Sequence, residues 1–316
     1  MKILRVMAVV MLVGLFLVGC SQQDDPVTPQ AQQMTNKDGS EFLGSFPVAD
    51  GTGFVEGGVG MVGVETGTLD ITVPGDATVV QVLLYWIGGS TDGLGDDEIV
   101  VDGEPVTGDL IGGPTLFYEN MQFTAYRADV TDMDWVVPGA NSFEISGFDF
   151  NFEGNVHDEN NGAGMLVVYD DGNTADLLLF DGLDMAFFKF APPLDQPESI
   201  VFNFGAGATD RTGQLSVLAG SVGENRPNQI VVTTSAGNQV FDNPLGSVDG
   251  PLFDSITLDV MVPAGDTEMT VQMVSVNSED PLGASLGIVG TGLSLPTPLY
   301  CIGDFVWYDE NGDGCQ

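Results

Sequence analysis

The stretch Phe143–Asp170, FEISGFDFNFEGNVHDENNGAGMLVVYD, decides the fold class of this chain. Its first part alternates apolar and polar residues, and the alternation shifts by one position at Gly147. A period of two predicts a strand with one buried face, and the shift predicts a β-bulge within it. After an acidic loop, the run Met165–Tyr169 has no polar break, which is typical of a strand covered on both faces. The stretch therefore predicts a strand, a polar loop and a second strand.

The same pattern recurs along the 316 residues, where 43 glycines and 17 prolines separate short apolar runs. Runs such as Val79–Ile87, Phe123–Val130 and Ile256–Val262 each predict a strand. We expect ten or more strands in an all-β chain. The predicted architecture is a jelly-roll-like β-sandwich followed by the truncated start of a second β-sandwich repeat.

Acidic residues dominate the charge of the chain, with 46 Asp and Glu against 7 Lys and Arg and a net charge of −39. This balance excludes nucleic acid as a partner, because binding phosphate requires cationic surfaces. We expect a saline or calcium-rich extracellular setting, in which salt or bound divalent ions offset the self-repulsion. Three acidic clusters are candidates for cation binding: Asp96–Glu98, Asp158–Glu159 and Asp309–Asp313.

The first 19 residues predict a signal peptide. Two cations in Met1–Arg5 precede a short apolar run, which is typical of secretory signals. The sequence LVGC at Leu17–Cys20 resembles the lipobox of bacterial lipoproteins. The resemblance implies that Cys20 becomes the acylated N-terminus, and Ser21 after it implies an outer-membrane or cell-surface location. The alternative is an ordinary secretory signal with an incidental cysteine.

Residues 20–40 are polar and predict a lipidated tether, because they have too little apolar surface to offset the entropy of ordering. Residues 41–298 form the predicted β-sandwich surface domain. Its segments VLLYW at Val82–Trp86, YRADVT at Tyr126–Thr131 and GAGMLVVY at Gly162–Tyr169 resemble the DUF3344 family of secreted bacterial and archaeal surface proteins. That resemblance implies a surface-displayed domain and no particular activity.

The acidic loop of the opening stretch is a possible polar site. Its candidate residues carry carboxylate, amide or imidazole groups and are Asp149, Asn151, Glu153, His157, Asp158 and Glu159. The alternative is a solvated hairpin loop. His157 is the single histidine, no second histidine completes a zinc site, and no serine lies in a GxSxG motif. We therefore expect no enzyme, although a glycosidase needs only two carboxylates and stays open.

Residues 299–316 predict a second module. Asp309, Asn311 and Asp313 match D-x-N-x-D-G, whose side chains bind Ca²⁺ together with the backbone carbonyl of position 7, here Cys315. The stretch resembles the opening of the SdrD B-like repeat of bacterial surface adhesins, which implies that these residues are calcium ligands. The sequence reaches Gln316 before the acid of position 12, so we expect a truncated repeat; the alternative is a relic of weak affinity.

The two cysteines of the tail, Cys301 and Cys315, are predicted to form a disulfide in an oxidising envelope, and two free thiols are the alternative. Together these features predict a non-enzymatic, lipid-anchored adhesin or envelope structural protein, bound to the membrane by its lipid and to an unspecified extracellular glycan or protein. The alternative is a carbohydrate-binding module or a glycosidase. Glycan binding would require Trp or Tyr on a sandwich face near carboxylates and amides. Trp86 and Trp135 are the only tryptophans of residues 41–298.

Overall fold

The computed structural model describes residues 42–117, 121–148 and 158–297. Within these ranges the chain forms eighteen strands in four antiparallel sheets and one turn of 3-10 helix at Thr131–Met133. No helix in these ranges has the length and apolarity needed to cross a membrane. The prediction of an all-β sandwich fold is confirmed.

The first two sheets form a sandwich that we call the N-terminal roll. Its inner sheet has, in order, β2 (Gly53–Gly60), β10 (Asp158–Asp170), β4 (Thr78–Ser90), β8 (Gln122–Asp129) and β7 (Asp109–Leu116). Its outer sheet has β3 (Thr66–Val73), β9 (Gly139–Ser146), β5 (Glu98–Val101) and β6 (Glu104–Thr107).

The other two sheets form the C-terminal roll. Its inner sheet has β1 (Phe42–Phe46), β11 (Ala175–Ala186), β18 (Leu286–Pro296), β13 (Arg211–Val222) and β16 (Leu252–Val262). Its outer sheet has β12 (Ile200–Asn203), β17 (Glu268–Ser275), β14 (Asn228–Thr234) and β15 (Gly237–Asp242).

The two rolls have the same topology. Each roll has eight strands when the edge strands β1 and β7 are left out. If these eight are numbered along the chain within each roll, the inner sheet contains the first, eighth, third and sixth strands side by side. The outer sheet contains the second, seventh, fourth and fifth strands in that order. This is the strand order of a jelly roll. The sandwich expected once in residues 41–298 is thus present twice.

A shared apolar interface joins the inner sheets of the two rolls. Along β4, Val82, Leu84 and Trp86 enter the core of the N-terminal roll. The alternate residues Tyr85 and Ile87 enter a separate buried cluster, together with side chains of the C-terminal roll. The apolar run Val82–Ile87 of β4 therefore has both faces covered, one by each neighbouring sheet.

One local prediction is wrong. The strand that begins before Phe143 ends at Ser146 rather than continuing through a bulge. Gly147 has a φ of +81°, and this left-handed conformation, which favours glycine, turns the chain out of the sheet. The remainder of the predicted strand, from Asp149, lies outside the described residues.

Candidate functional site

A small cleft of about 110 Å³ lies at the end of the N-terminal roll where β4 finishes and β10 begins. We call this the strand-end cleft, and we call the corresponding end of both rolls the upper end. The aromatic side chains that line it are Trp86, Tyr126 and Phe148, and its carboxylates are Asp92, Asp96 and Asp158.

The loop after β4 is fixed over the aromatic side chains by several hydrogen bonds. The Trp86 indole N–H donates to the backbone carbonyl of Asp96 at 2.7 Å. The Leu94 N–H donates to Asp92 Oδ1 at 2.9 Å, and its carbonyl accepts from Ser90 Oγ at 2.7 Å. A Cβ at Gly95 would lie 2.0 Å from the Tyr126 hydroxyl, so only glycine allows this approach. The loop is thereby held as one wall of the cleft.

The electrostatic environment of the cleft is negative. Its described lining has three aspartates and no Lys, Arg or His. Burial raises the pKa of the Tyr126 phenol, its hydrogen bond with Thr124 offsets part of this rise, and the nearby charges of Asp97 and Asp96 add to it. Trp86 and Tyr126 stack with ring centroids 5.7 Å apart and an interplanar angle of 18°. The cleft therefore combines aromatic walls with a carboxylate rim.

Two adjacent asparagines at the start of β10 are buried with unmet hydrogen bonds. Asn160 lines the cleft, is 3% exposed, and has no described partner for its Nδ2. Asn161 donates to Glu159 Oε1 at 3.1 Å, while its Oδ1 has no described partner. A register shift between Asn160 and Gly162 accompanies their burial. An unmet buried polar group costs about 1–3 kcal/mol, so such groups commonly serve a ligand or a bound water.

The structure places two of the predicted loop residues. Asp158 lines the cleft, and Glu159 accepts the bond from Asn161. The other predicted site residues lie outside the described ranges, and they are Cys20, Asp149, Asn151, Glu153, His157, Cys301, Asp309, Asn311, Asp313 and Cys315. Among the described residues, no group of three or more His, Cys, Asp or Glu side chains converges as a metal site would require.

The two tryptophans of the predicted domain do not form a sugar-stacking surface. Trp86 is 1% exposed and belongs to the core of the N-terminal roll, and Trp135 is half-buried against the same core. Trp86 offers no open aromatic face, and Trp135 packs part of its surface against the core, which weakens the glycan-binding alternative.

Polar contacts also cross the interface between the rolls. The Tyr85 hydroxyl donates to Asp181 Oδ2 at 3.0 Å, and Arg127 forms a salt bridge with the same oxygen. Burial raises the pKa of Asp181, and the Arg127 guanidinium offsets part of this rise. Glu56 on β2 accepts from Ser216 at 2.9 Å and from Thr257, and burial raises its pKa as well. These carboxylates already have protein donors, which gives them a structural role.

Asp92, Tyr126 and Asn160 are not among the site residues predicted from the sequence, and Asp96 was predicted only as part of an acidic cluster. A signal was present, because Gly88-Gly89 follows the apolar run of a central strand and an acidic, glycine-containing loop comes next. The burial of Asn160 had no sequence signal, since an Asn-Asn pair before a strand is typical of an exposed turn.

A scan against protein-family models and a search of curated proteins gave no match. Among solved structures, the chain is similar to PNGase F, a glycosylasparaginase from Flavobacterium meningosepticum, with 13% identity and a TM-score of 0.26 over 78% of this chain and 98% of that chain. It is similar to a cycloalternan-forming enzyme from Listeria monocytogenes, with 11% identity and a TM-score of 0.25 over 82% and 21% of the chains. It is also similar to the ANXUR1 extracellular domain from Arabidopsis thaliana, with 10% identity and a TM-score of 0.21 over 81% of this chain and 90% of that chain. At these values none of the three carries a functional argument.

Proposed function

We propose that this chain is a non-enzymatic, lipid-anchored cell-surface adhesin or envelope structural protein. The double jelly roll would be a rigid, acidic module held away from the membrane by the tether. The lipobox at Leu17–Cys20 and the adhesin-like calcium motif of the tail support this proposal from the sequence. Calcium binding by the tail is part of the proposal.

The observation that carries the proposal is the path of the chain through the C-terminal roll. Phe42, at the start of β1, pairs with Leu183 near the end of β11. Pro296, at the end of β18, pairs with Ala175 at the start of β11. At about 3.4 Å per residue in an antiparallel strand, these two points on β11 are roughly 27 Å apart. The chain therefore enters and leaves the module at opposite ends, as it does in modules arranged in series along a stalk.

The anchor is tested by the substitution Cys20→Ser in the full chain. We expect the variant to lose metabolic labelling with a fatty acid and to move from the membrane fraction to the soluble fraction, because two or three acyl chains supply the membrane affinity. Cys301→Ser is the matched control and should keep both properties. Unchanged labelling and fractionation of the Cys20 variant would refute the proposal.

A further inference from the structure

Strand β1 is an addition to a roll that has its full topology without it. The strands β11–β18 make up the whole C-terminal roll, and β1 pairs with one edge of its inner sheet. Both β1 and β18 pair with β11, one on either side of it, and each runs antiparallel to it. The first and the last strand of the described chain therefore run in the same direction on opposite sides of one strand.

After β1, the chain returns to the end of the module from which it later exits. The Thr52 carbonyl accepts a hydrogen bond from Ser294 Oγ at 3.1 Å. Ser294 lies two residues before Pro296, where β18 ends. Without β1, the chain would therefore enter and leave the module at neighbouring points. With β1, it enters at Phe42, which pairs with Leu183 towards the opposite end of β11.

The positions of entry and exit decide how tension acts on the hydrogen-bond ladders, whose bonds lie perpendicular to the strands. Tension between Phe42 and Pro296 pulls β1 and β18 in opposite directions along β11, so all the bonds of a ladder are loaded together. Tension between Thr52 and Pro296 would pull two neighbouring strand ends apart, and the ladders would open from that end one bond at a time. Strand β1 therefore replaces a peeling load with a shearing load.

The ladder between β1 and β11 is the weaker part of this arrangement. Strand β1 has five residues and is an edge strand of its sheet within the described part of the chain. Strand β18 has eleven residues and pairs on both sides, with β11 and β13. Under tension, β1 should therefore detach first, and the load then moves to Thr52, where it peels the remaining strands. The hold on β1 thus sets the tension that the whole module withstands.

Side chains of the N-terminal roll also hold β1 in place. Phe46 packs against the apolar cluster between the rolls, and Arg127 Cζ lies 3.7 Å from the centroid of its ring. Arg127 also forms the salt bridge with Asp181 of β11, the strand to which β1 is paired. Just beyond β1, the Ala49 N–H donates to Gln81 Oε1 at 2.9 Å. Detaching β1 therefore breaks contacts between the rolls as well as its ladder.

We infer that β1 is a load-bearing latch, a strand that makes the module resist tension applied between its entry at Phe42 and its exit at Pro296. This deepens the proposed function and rests on it for the source of the tension, which is a membrane tether at one end and a bound partner beyond the other. The resistance itself is a property of the folded chain and is measured without the lipid. A failed anchor and a failed latch are therefore different results.

Single-molecule force spectroscopy of the full chain tests the latch by changing the point at which force is applied. Every protein carries Cys20→Ser, Cys301→Ser and Cys315→Ser, and one handle is always attached at Gln316. A second handle at the N-terminus loads β1 in shear. A second handle on Asp50→Cys, an exposed position after β1, bypasses the latch, and the module should then unfold at less than about half the force. Equal unfolding forces from the two attachment points would overturn the inference.

A third attachment point is the control for the internal handle. Ala191→Cys lies at an exposed position in the loop that follows β11. Force between this handle and Gln316 pulls β11 against β18 in shear without using β1, so the unfolding force should stay well above that measured from Asp50→Cys. An unfolding force as low as that from Asp50→Cys would contradict the role of shear and overturn the inference.

Two substitutions separate the latch from general stability. Phe46→Ala removes the ring that holds β1, so it should lower the ratio of the N-terminal force to the force measured from Asp50→Cys. Phe241→Ala removes another half-buried ring, from β15 outside the path of the load, and should leave this ratio unchanged. The same ratio in the Phe46 variant as in the parent protein would overturn the inference.

Discussion

The two rolls share one topology, but their upper ends differ. In the C-terminal roll, Arg226 follows β13 and closes the end: its Nε and Nη2 donate to the Gly283 carbonyl at 3.0 and 2.6 Å. Its Nη1 donates to Ser285 Oγ at 3.3 Å. In the N-terminal roll, the corresponding loop follows β4, carries Asp92 and Asp96, and leaves a cleft. The shared strand order determines where the loops meet. At that place one loop carries a cation that bonds across the end, and the other carries carboxylates.

Each roll has a buried asparagine near its upper end, and the two differ in how fully their side chains are hydrogen-bonded. Asn228 of the C-terminal roll is 1% exposed, donates to the Leu245 and Arg226 carbonyls at 2.5 and 3.0 Å, and accepts from the Leu245 N–H at 3.2 Å. Asn160 of the N-terminal roll is buried to a similar degree and has an unmet amide. The side chain of Asn228 has both its donor and its acceptor paired, whereas that of Asn160 has an unmet N–H group.

The largest effect is expected where the rolls meet. Asp181→Ala would leave Arg127 without its carboxylate in a mostly buried position, which typically costs about 3–5 kcal/mol. Lys189→Ala is the control, because it removes the exposed Lys189–Glu279 pair and should cost less than about 1 kcal/mol. Both free energies of unfolding can be measured with urea. If both variants lost a similarly small free energy of unfolding, the interface would contribute little to stability, and the two rolls would behave as independent domains.

The asparagine contrast predicts opposite results from the same substitution. Asn228→Leu should lower the free energy of unfolding by about 2–3 kcal/mol, because it removes several satisfied bonds and leaves backbone groups of the loop unpaired. Asn160→Leu should be neutral or stabilising. Thermal unfolding of the two variants beside the wild type gives the comparison. A loss for Asn160→Leu as large as that for Asn228→Leu would show that both ends are closed in the same way.

The smallest expected effect is a change of thermal stability with pH. It involves Glu56 on β2 and Asp254 in β16, which binds the loop 246–248. Burial raises the pKa of Asp254 to about 6, although the N–H groups of Gly246, Ser247 and Val248 bind its carboxylate. Burial also raises the pKa of Glu56. An acid whose pKa is raised in the folded state contributes stability below its unfolded pKa and loses it as pH rises through the folded value.

We therefore expect the melting temperature to fall between about pH 4 and pH 6. Glu56→Gln should reduce the slope of this fall, because the amide does not titrate and can still bond to Ser216 and Thr257. The general repulsion of the acidic surface changes with pH in a similar way in both proteins, so the difference between the two profiles isolates Glu56. Identical slopes would contradict the pKa assignment.

Much of the fold is predictable from apolar periodicity. The run Val79–Ile87 lies within β4, and Phe123–Val130 and Ile256–Val262 correspond closely to β8 and to the second half of β16. The doubling of the roll was not predicted, although β4 contained a signal for it. Its consecutive apolar residues Val82–Ile87 require cover on both faces, and a single two-sheet sandwich covers only one. A sequence pattern shows that a face is buried without showing which sheet covers it.

The candidate site was predictable only in part. Asp158 belonged to the predicted polar loop, because acids and amides between two strands indicate a loop at a strand end. Asn160 was not predictable, since its burial depends on a register shift in β10 and on the packing of Trp86 beneath the neighbouring loop. These are tertiary effects between residues more than seventy positions apart, and no local pattern encodes them.

The central claim is that the two rolls share a fold, while paired polar groups hold the upper end of the C-terminal roll and a buried amide N–H is left unmet at the upper end of the N-terminal roll. Backbone amide hydrogen exchange of the full chain, measured by NMR, tests it most directly, since it observes both ends in one experiment. We predict faster exchange in the loop Thr91–Asp96 than at Gly223–Arg226 and Gly283–Ser285. Equal exchange at both ends, or slower exchange at Thr91–Asp96, would contradict the claim.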